Sequence, residues 1–220
     1  MNFGAIVCEG YQDRSFFSGW LDYVYSAQKY DLPKGHRLAG RGVYCKQIPQ
    51  KHSVVIVPAE GKSKVAQTSA DYSKNSAAEL RRILMVVDTD RTEPAASRSN
   101  MLSSYCSERG IDLPNTQTTT VADRTIEVRV EVWHPTLEAV IRGALDVACA
   151  GEMSAVDAFL ANQPNRPTKP TGKEPAFTYC SAWRPDSFGD DFFAHVWRDQ
   201  QIREALLSRT NEMKASLDWL

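Results

Sequence analysis

Two stretches of sequence decide the fold, Ile6-Val-Cys-Glu-Gly-Tyr-Gln-Asp13 and Ile83-Leu-Met-Val-Val-Asp-Thr-Asp90. Each is an apolar, largely β-branched run that ends in two closely spaced acids, and such a run predicts a buried strand. In open α/β sheets, ligands bind beyond the carboxyl ends of the strands. We therefore expect four carboxylates to share one sheet edge: Glu9, Asp13, Asp88 and Asp90.

Clustered carboxylates repel one another at short range unless a cation lies between them. Carboxylate oxygens are hard ligands that suit Mg²⁺ or Mn²⁺. The pattern therefore predicts a divalent metal site that acts on phosphate.

The rest of the chain alternates between strand and helix patterns. We predict a strand at 3–8, a helix at 12–28, a strand at 53–57, a polar helix at 63–82 and a strand at 83–88. This β-α-β-α-β order favours an α/β fold with a mostly parallel sheet flanked by helices.

The second half of the chain continues this pattern and then changes in composition. A helix is expected from Pro94 to Arg109, followed by strands at 118–121 and 125–132 and helices at 135–150 and 153–162. We therefore expect a catalytic domain at 1–162, a proline-rich linker or loop at 163–176 and a helical C-terminal tail at 177–220 that packs on the core.

Composition limits the classes of protein to consider. The 220 residues are 42% hydrophobic and 24% charged, as in ordinary globular proteins, and no apolar run approaches a membrane span. The five cysteines are scattered, without the spacing of a disulfide framework or a zinc site, which favours the cytoplasm.

Net charge is −1, but the segment 29–64 carries eight Lys or Arg against two acids. Such local asymmetry is typical either of a surface that binds a phosphate backbone or of a solvated loop. The candidate phosphate-binding residues are Lys34, Arg37, Arg41, Lys46, Lys51, Lys62 and Lys64.

The strand-end motifs resemble the Toprim fold, as found in the small stand-alone proteins and nuclease domains of the OLD and RloB-like kind. The matching features are Glu9-Gly10 with Asp13, and Val87-Asp88-Thr89-Asp90. A further segment, Val130-Glu-Val-Trp133, is similar to one that supplies another metal-site acid in such proteins. The resemblance implies that Glu131 joins the metal site, whereas Glu138 is expected to be an exposed helix residue.

The resemblance also implies an activity, an Mg²⁺- or Mn²⁺-dependent nuclease that cleaves DNA or RNA. Gly61-Lys-Ser-Lys64 loosely matches the family's glycine-plus-basic feature, which makes Lys62 a candidate catalytic residue. The sequence contains no ATP-binding P-loop. Proteins of this kind often act in phage defence beside an ABC-type ATPase, so such a partner is expected by resemblance, and a homo-oligomer is compatible with the sequence.

Two other functions remain open. A Toprim fold can serve as a non-catalytic module for nucleic-acid binding or assembly. Alternatively, Asp88-Thr-Asp-Arg-Thr92 matches the opening motif of haloacid-dehalogenase phosphatases, with Gly189-Asp-Asp191 as their late acidic motif. That interpretation leaves Glu9 without a role, and it places the nucleophile strand third rather than first.

Overall fold

The computed structural model describes residues 3–49, 52–76, 79–112, 120–123, 126–163, 173–183 and 192–220. No helix in this part of the chain is long and apolar enough to cross a bilayer. Lys51, most of the predicted linker and the late acidic motif lie outside the described residues.

A seven-stranded sheet forms the centre of the molecule, in the order β2-β3-β4-β1-β5-β7-β6. The strands β4, β1, β5 and β7 are mutually parallel, whereas β2, β3 and β6 pair antiparallel at the two edges. The strand bounds are β1 Phe3–Cys8, β2 Gln28–Lys29, β3 Tyr44–Gln47, β4 Ser53–Pro58, β5 Leu80–Asp88, β6 Thr120–Asp123 and β7 Ile126–Trp133.

Helices cover both faces of the sheet. On one face, α2 and α3 pack on the odd-numbered β1 side chains, such as Ala5 and Val7. The other face, with Ile6 and Cys8, is covered by α1 and by the helices α4 to α8. The helix bounds are α1 Tyr11–Tyr25, α2 Lys62–Asn75, α3 Pro94–Arg109, α4 Leu137–Ala148, α5 Ala150–Ala161, α6 Glu174–Trp183, α7 Gln200–Arg209 and α8 Asn211–Trp219.

The predicted fold class, a mostly parallel sheet flanked by helices with a helical C-terminus, is confirmed. Several boundaries differ from prediction: α1 stops at Tyr25, the polar helix stops at Asn75, β5 begins at Leu80 and α6 begins within the predicted linker. A 3₁₀ turn at Ala194–Trp197 also precedes α7. The antiparallel strands β2 and β3 were not predicted, because both are short and β2 is exposed.

The contact between α1 and the 3₁₀ turn fixes the C-terminal helices on the core. Ser15 Oγ accepts hydrogen bonds from the backbone N–H groups of Phe193 and Ala194, at 2.8 and 2.9 Å. Gly19 allows the close approach, since a Cβ there would lie 2.2 Å from the Ala194 carbonyl oxygen. The aromatic rings of Trp20 and Trp197 then pack with their centroids 4.6 Å apart.

A buried polar network joins α2, α3 and β6 on the opposite face. Asp123 accepts hydrogen bonds from Ser73 Oγ at 2.9 Å and Tyr105 Oη at 2.7 Å, and its carboxylate pairs with the Arg109 guanidinium. The hydrogen bonds from Arg109 outweigh burial and lower the pKa of Asp123 to about 2. Every carboxylate oxygen has a partner, so this network is structural.

Candidate functional site

The two predicted strand ends meet at one edge of the sheet. Glu9 follows β1 directly and Asp88 ends β5, and these two strands are parallel neighbours. The Glu9 carboxylate accepts a hydrogen bond of 2.7 Å from the backbone N–H of Asp88. The expected proximity of these two acids is therefore observed.

Asp13 is buried beside them in the first turn of α1. Its Oδ2 accepts from the Gly10 N–H at 3.3 Å, and its Oδ1 accepts from Trp133 Nε1 at 3.1 Å. The first bond is a helix cap that also complements the helix dipole. The second ties the carboxylate to the end of β7.

Glu138 is a fourth acid at this edge, and our prediction that it is exposed is wrong: its exposed fraction is 4%. It lies in the first turn of α4, whose start is fixed where the Leu137 N–H donates to Asp88 Oδ1 at 3.0 Å. Glu138 Oε1 pairs with Lys173 Nζ at 3.2 Å, whereas the buried Oε2 has no hydrogen-bond partner among the described residues. The sequence does contain one signal for a site residue here, because Glu138 is an acid in the first turn of the helix that follows β7.

These acids surround one small cavity of about 200 Å³, which we call the acidic cavity. It opens beyond the carboxyl ends of the parallel strands, at the sheet edge where the sequence predicts a metal site. Its lining residues are Glu9, Gly10, Gln12, Asp13, Gly61, Asp88, Leu137, Glu138 and Lys173.

Among the described residues, four carboxyl groups and one lysine line the acidic cavity, and burial favours the neutral form of the acids. Burial raises the pKa of Asp13 to about 7, and the charges of Glu9 and Glu138 add to the effect. Burial likewise raises the pKa of Asp88 to about 8, with further contributions from Asp13 and Glu9. Burial also raises the pKa of Glu9. Burial opposes the charge on Lys173, yet the nearby carboxylates raise its pKa.

Lys62 and Asp90 lie outside the cavity lining. The Gly61 N–H donates to the Glu9 carbonyl oxygen at 2.8 Å and so brings the start of α2 to the strand ends. From there, Lys62 Nζ donates to the Asp88 carbonyl oxygen and pairs with Asp90 at 2.9 Å. The Asp90 carboxylate is largely exposed, so it borders the site without lining the cavity.

Glu131 is not brought to the acidic cavity, so its predicted place in the metal site needs correction. It pairs with Val86, which lies two residues before the end of β5 at Asp88. Its carboxylate binds Arg98 Nη2 at 3.0 Å and accepts from Ser216 Oγ at 2.6 Å. These contacts assign Glu131 to the packing of α3 and α8.

The donor set is compatible with a hard divalent ion. Among the described residues, no group of three or more acid, histidine or cysteine side chains is arranged so that it could hold a metal ion by itself. Mg²⁺, however, is usually held by one or two carboxylates and completes its shell with water and phosphate oxygens. The unpartnered Glu138 Oε2 and the close approach of four carboxyl groups fit an ion bound in this way.

The candidate phosphate-binding residues divide into two groups. Lys34, Arg37, Arg41 and Lys64 are exposed. Lys46 is buried and its Nζ binds both carboxylate oxygens of Asp22, at 2.8 and 2.7 Å. The prediction that Lys46 contacts phosphate is therefore corrected, because Asp22 already neutralises the charge of its ammonium group.

Comparisons with known proteins show the fold alone. No family model matches the chain, and a comparison with curated proteins finds no match. A hypothetical protein from Pyrococcus horikoshii OT3 is similar in structure, with a TM-score of 0.64, 18% identity and 96% coverage of both chains.

Two OLD-protein structures are also similar over nearly the whole chain. The C-terminal region of the Burkholderia pseudomallei OLD protein has a TM-score of 0.43 and 12% identity, and covers 96% of this chain and 98% of that one. The corresponding region from Xanthomonas campestris pv. campestris has a TM-score of 0.41 and 13% identity, with coverage of 98% and 97%. Likeness at this level carries no functional argument.

Proposed function

We propose that this protein is a Toprim-type, Mg²⁺- or Mn²⁺-dependent nuclease that cleaves phosphodiester bonds in DNA or RNA. One observation carries the proposal: four acids share the acidic cavity, and the buried Glu138 carboxylate has an oxygen without a partner among the described residues. Such an arrangement is unfavourable in the absence of a cation.

Within this proposal, Asp88 and Glu138 would hold the divalent ion, and Asp13 would lie beside it as a further negative charge. A bound divalent ion supplies electrostatic stabilisation of the charge that develops on the phosphoryl oxygens. Glu9 is held by the Asp88 N–H and has a raised pKa, so it is the best candidate for accepting a proton from the attacking water.

Cationic groups on the surface of the molecule would receive the substrate. Lys62 borders the acids and can neutralise a phosphate beside them. The exposed Arg41 and Lys64 would contact neighbouring phosphates, since such contacts position a nucleic acid without reading its sequence. Lys34 and Arg37 flank His36, which packs on Phe3 at the start of β1, so they would contact more distant phosphates. An ABC-type ATPase partner and a role in phage defence, in the cytoplasm, complete the proposal.

The test is cleavage of plasmid, single-stranded DNA and total tRNA with Mg²⁺, Mn²⁺ or EDTA. We expect divalent-dependent cleavage that Asp88→Asn and Glu138→Gln reduce by at least about a hundredfold, as for loss of a preorganised electrostatic contact. The amide oxygen that Asp88→Asn introduces can still accept the hydrogen bond from the Leu137 N–H, so the fold is retained. Glu131→Gln is the matched control and should cleave normally.

Other outcomes would identify the alternative functions. Tight binding of nucleic acid without cleavage under any metal would favour a non-catalytic module. Hydrolysis of small phosphomonoesters through an acid-stable aspartyl intermediate on Asp88 would favour the phosphatase. Equal cleavage by Asp88→Asn and the parent would refute the proposed site.

A further inference from the structure

A second, larger cavity of about 530 Å³ lies between α1, β3 and the segment 29–43. It has the size of pockets that hold small organic groups. Three tyrosines, Tyr23, Tyr30 and Tyr44, form part of its wall, and we call it the tyrosine cavity. None of these residues takes part in the acidic cavity.

The charged groups of the tyrosine cavity are largely paired with one another. Lys46 binds Asp22, and Lys29 lies 3.1 Å from Asp31. A wall in which lysines are matched by acids does not favour a bare phosphate. It favours a neutral, flat ligand that stacks on aromatic rings and exchanges hydrogen bonds at its edge.

The position of the tyrosine cavity connects it with the proposed path of a nucleic acid. The segment that forms its wall also carries the exposed Lys34, Arg37 and Arg41. Arg14 links it to the acidic cavity, since the guanidinium Cζ lies 3.9 Å from the Tyr44 ring centroid and 4.9 Å from that of Tyr11.

Tyr11 directly follows Gly10, which lines the acidic cavity. Arg14 also donates to the Gly42 carbonyl oxygen at 2.8 Å and so holds the basic segment against α1. Arg14 therefore contacts one tyrosine of the tyrosine cavity and the residue that follows Gly10 of the acidic cavity.

We propose that the tyrosine cavity binds an unpaired nucleobase of a single-stranded nucleic acid whose backbone runs over the exposed basic residues. Stacked bases in a duplex cannot enter such a cavity, so the substrate class is single-stranded or locally unpaired nucleic acid. The inference rests on the proposed function only in that the substrate is nucleic acid. It does not depend on cleavage.

The test is equilibrium binding in EDTA, followed by fluorescence anisotropy. The probes are a labelled oligo(dT) or oligo(rU), an abasic oligonucleotide of the same length and a blunt duplex. We expect Tyr23→Ala and Tyr30→Ala each to weaken oligonucleotide binding about tenfold, as for loss of one base–aromatic stack. The salt slope should not change, because no phosphate contact is removed.

Three comparisons make this test decisive. Tyr30→Phe should bind like the parent, and Phe159→Ala, which removes an exposed aromatic ring from α5, is the matched control. Abasic and duplex probes should bind the tyrosine variants and the parent equally. Tyr23 is 39% exposed on a helix, so Tyr23→Ala should fold like the parent. It provides the test if Tyr30→Ala has a lower Tm than the parent.

Equal affinity of the parent for oligo(dT) and the abasic probe would overturn the inference, and so would tyrosine variants that bind like the parent. Tyrosine-dependent binding by a protein that cuts nothing would support it while refuting the nuclease. If the protein cleaves nucleic acid but neither tyrosine substitution changes its oligonucleotide binding, the nuclease would be supported and the nucleobase site refuted.

Discussion

Replacing Asp88 with Asn should make the metal-free protein more stable at alkaline pH. Asp88 is ionised in the unfolded chain above its ordinary pKa of 3.8, whereas in the folded protein its pKa is about 8. The folded state therefore holds a proton that the unfolded state releases between these two values. Stability is greatest below the lower pKa and falls as the pH rises through the higher one.

The size of the effect follows from the difference between the two pKa values. Each pKa unit corresponds to about 1.4 kcal/mol, so ionised Asp88 destabilises the fold by at most about 6 kcal/mol. Part of this reflects coupling to Asp13 and Glu9, whose own ionisation eases when Asp88 is neutral. We expect Asp88→Asn to gain about 2–4 kcal/mol at pH 9, or roughly 5–12 °C in Tm for a chain of this length.

Thermal melting in EDTA at pH 5 and pH 9 measures this difference. The gain should be large at pH 9 and small at pH 5, where the parent carboxyl is already protonated. Added Mg²⁺ should reverse the order, because the ion stabilises only the parent. An Asp88→Asn protein no more stable than the parent at pH 9 would refute the claim of uncompensated charge in the acidic cavity.

Three further predictions test other parts of the structure. Asp123→Asn should lower the free energy of unfolding by about 3 kcal/mol at pH 7, because it breaks a buried ion pair with Arg109. Denaturant unfolding at several pH values should show this loss shrink as the pH falls from 4 towards 2, where the parent loses the same charge. Glu138→Gln should weaken Mg²⁺ binding at least about tenfold by calorimetry, whereas Glu131→Gln should leave that affinity unchanged and lower Tm. Gly19→Ala should cost about 3 kcal/mol through overpacking against the 3₁₀ turn, and a Tm equal to that of the parent would contradict the observed close approach.

The central strands and two of their acids were predictable because local and global signals agree there. The run from Ile6 to Cys8 is apolar on every residue, as expected for a strand with helices on both faces. The position of Glu9 beside Asp88 then follows from parallel pairing, which places successive strand ends at the same edge.

The choice between Glu131 and Glu138 could not be made from local pattern. β7 alternates apolar and polar residues, so Glu131 resembles an acid at a strand end. Its contacts with Arg98 and Ser216 come from α3 and α8, which are distant in sequence. Glu138 resembles an ordinary acid of a first helical turn, and only the packing of α4 on the strand ends buries it.

The hydrogen bond from Trp133 to Asp13 gives the molecule an internal optical reporter. Trp133 lies within a cluster of aromatic rings that includes Phe16 and Phe17, where its indole is shielded from solvent. Indole emission responds to the charge that its N–H faces, and here that charge is a carboxylate of the acidic cavity. Any event that protonates Asp13 or brings a cation to it changes the field on this one fluorophore. Of the emission from the five tryptophans, the part that comes from Trp133 should therefore follow the ionisation state of the site, and Trp133→Phe would isolate that part.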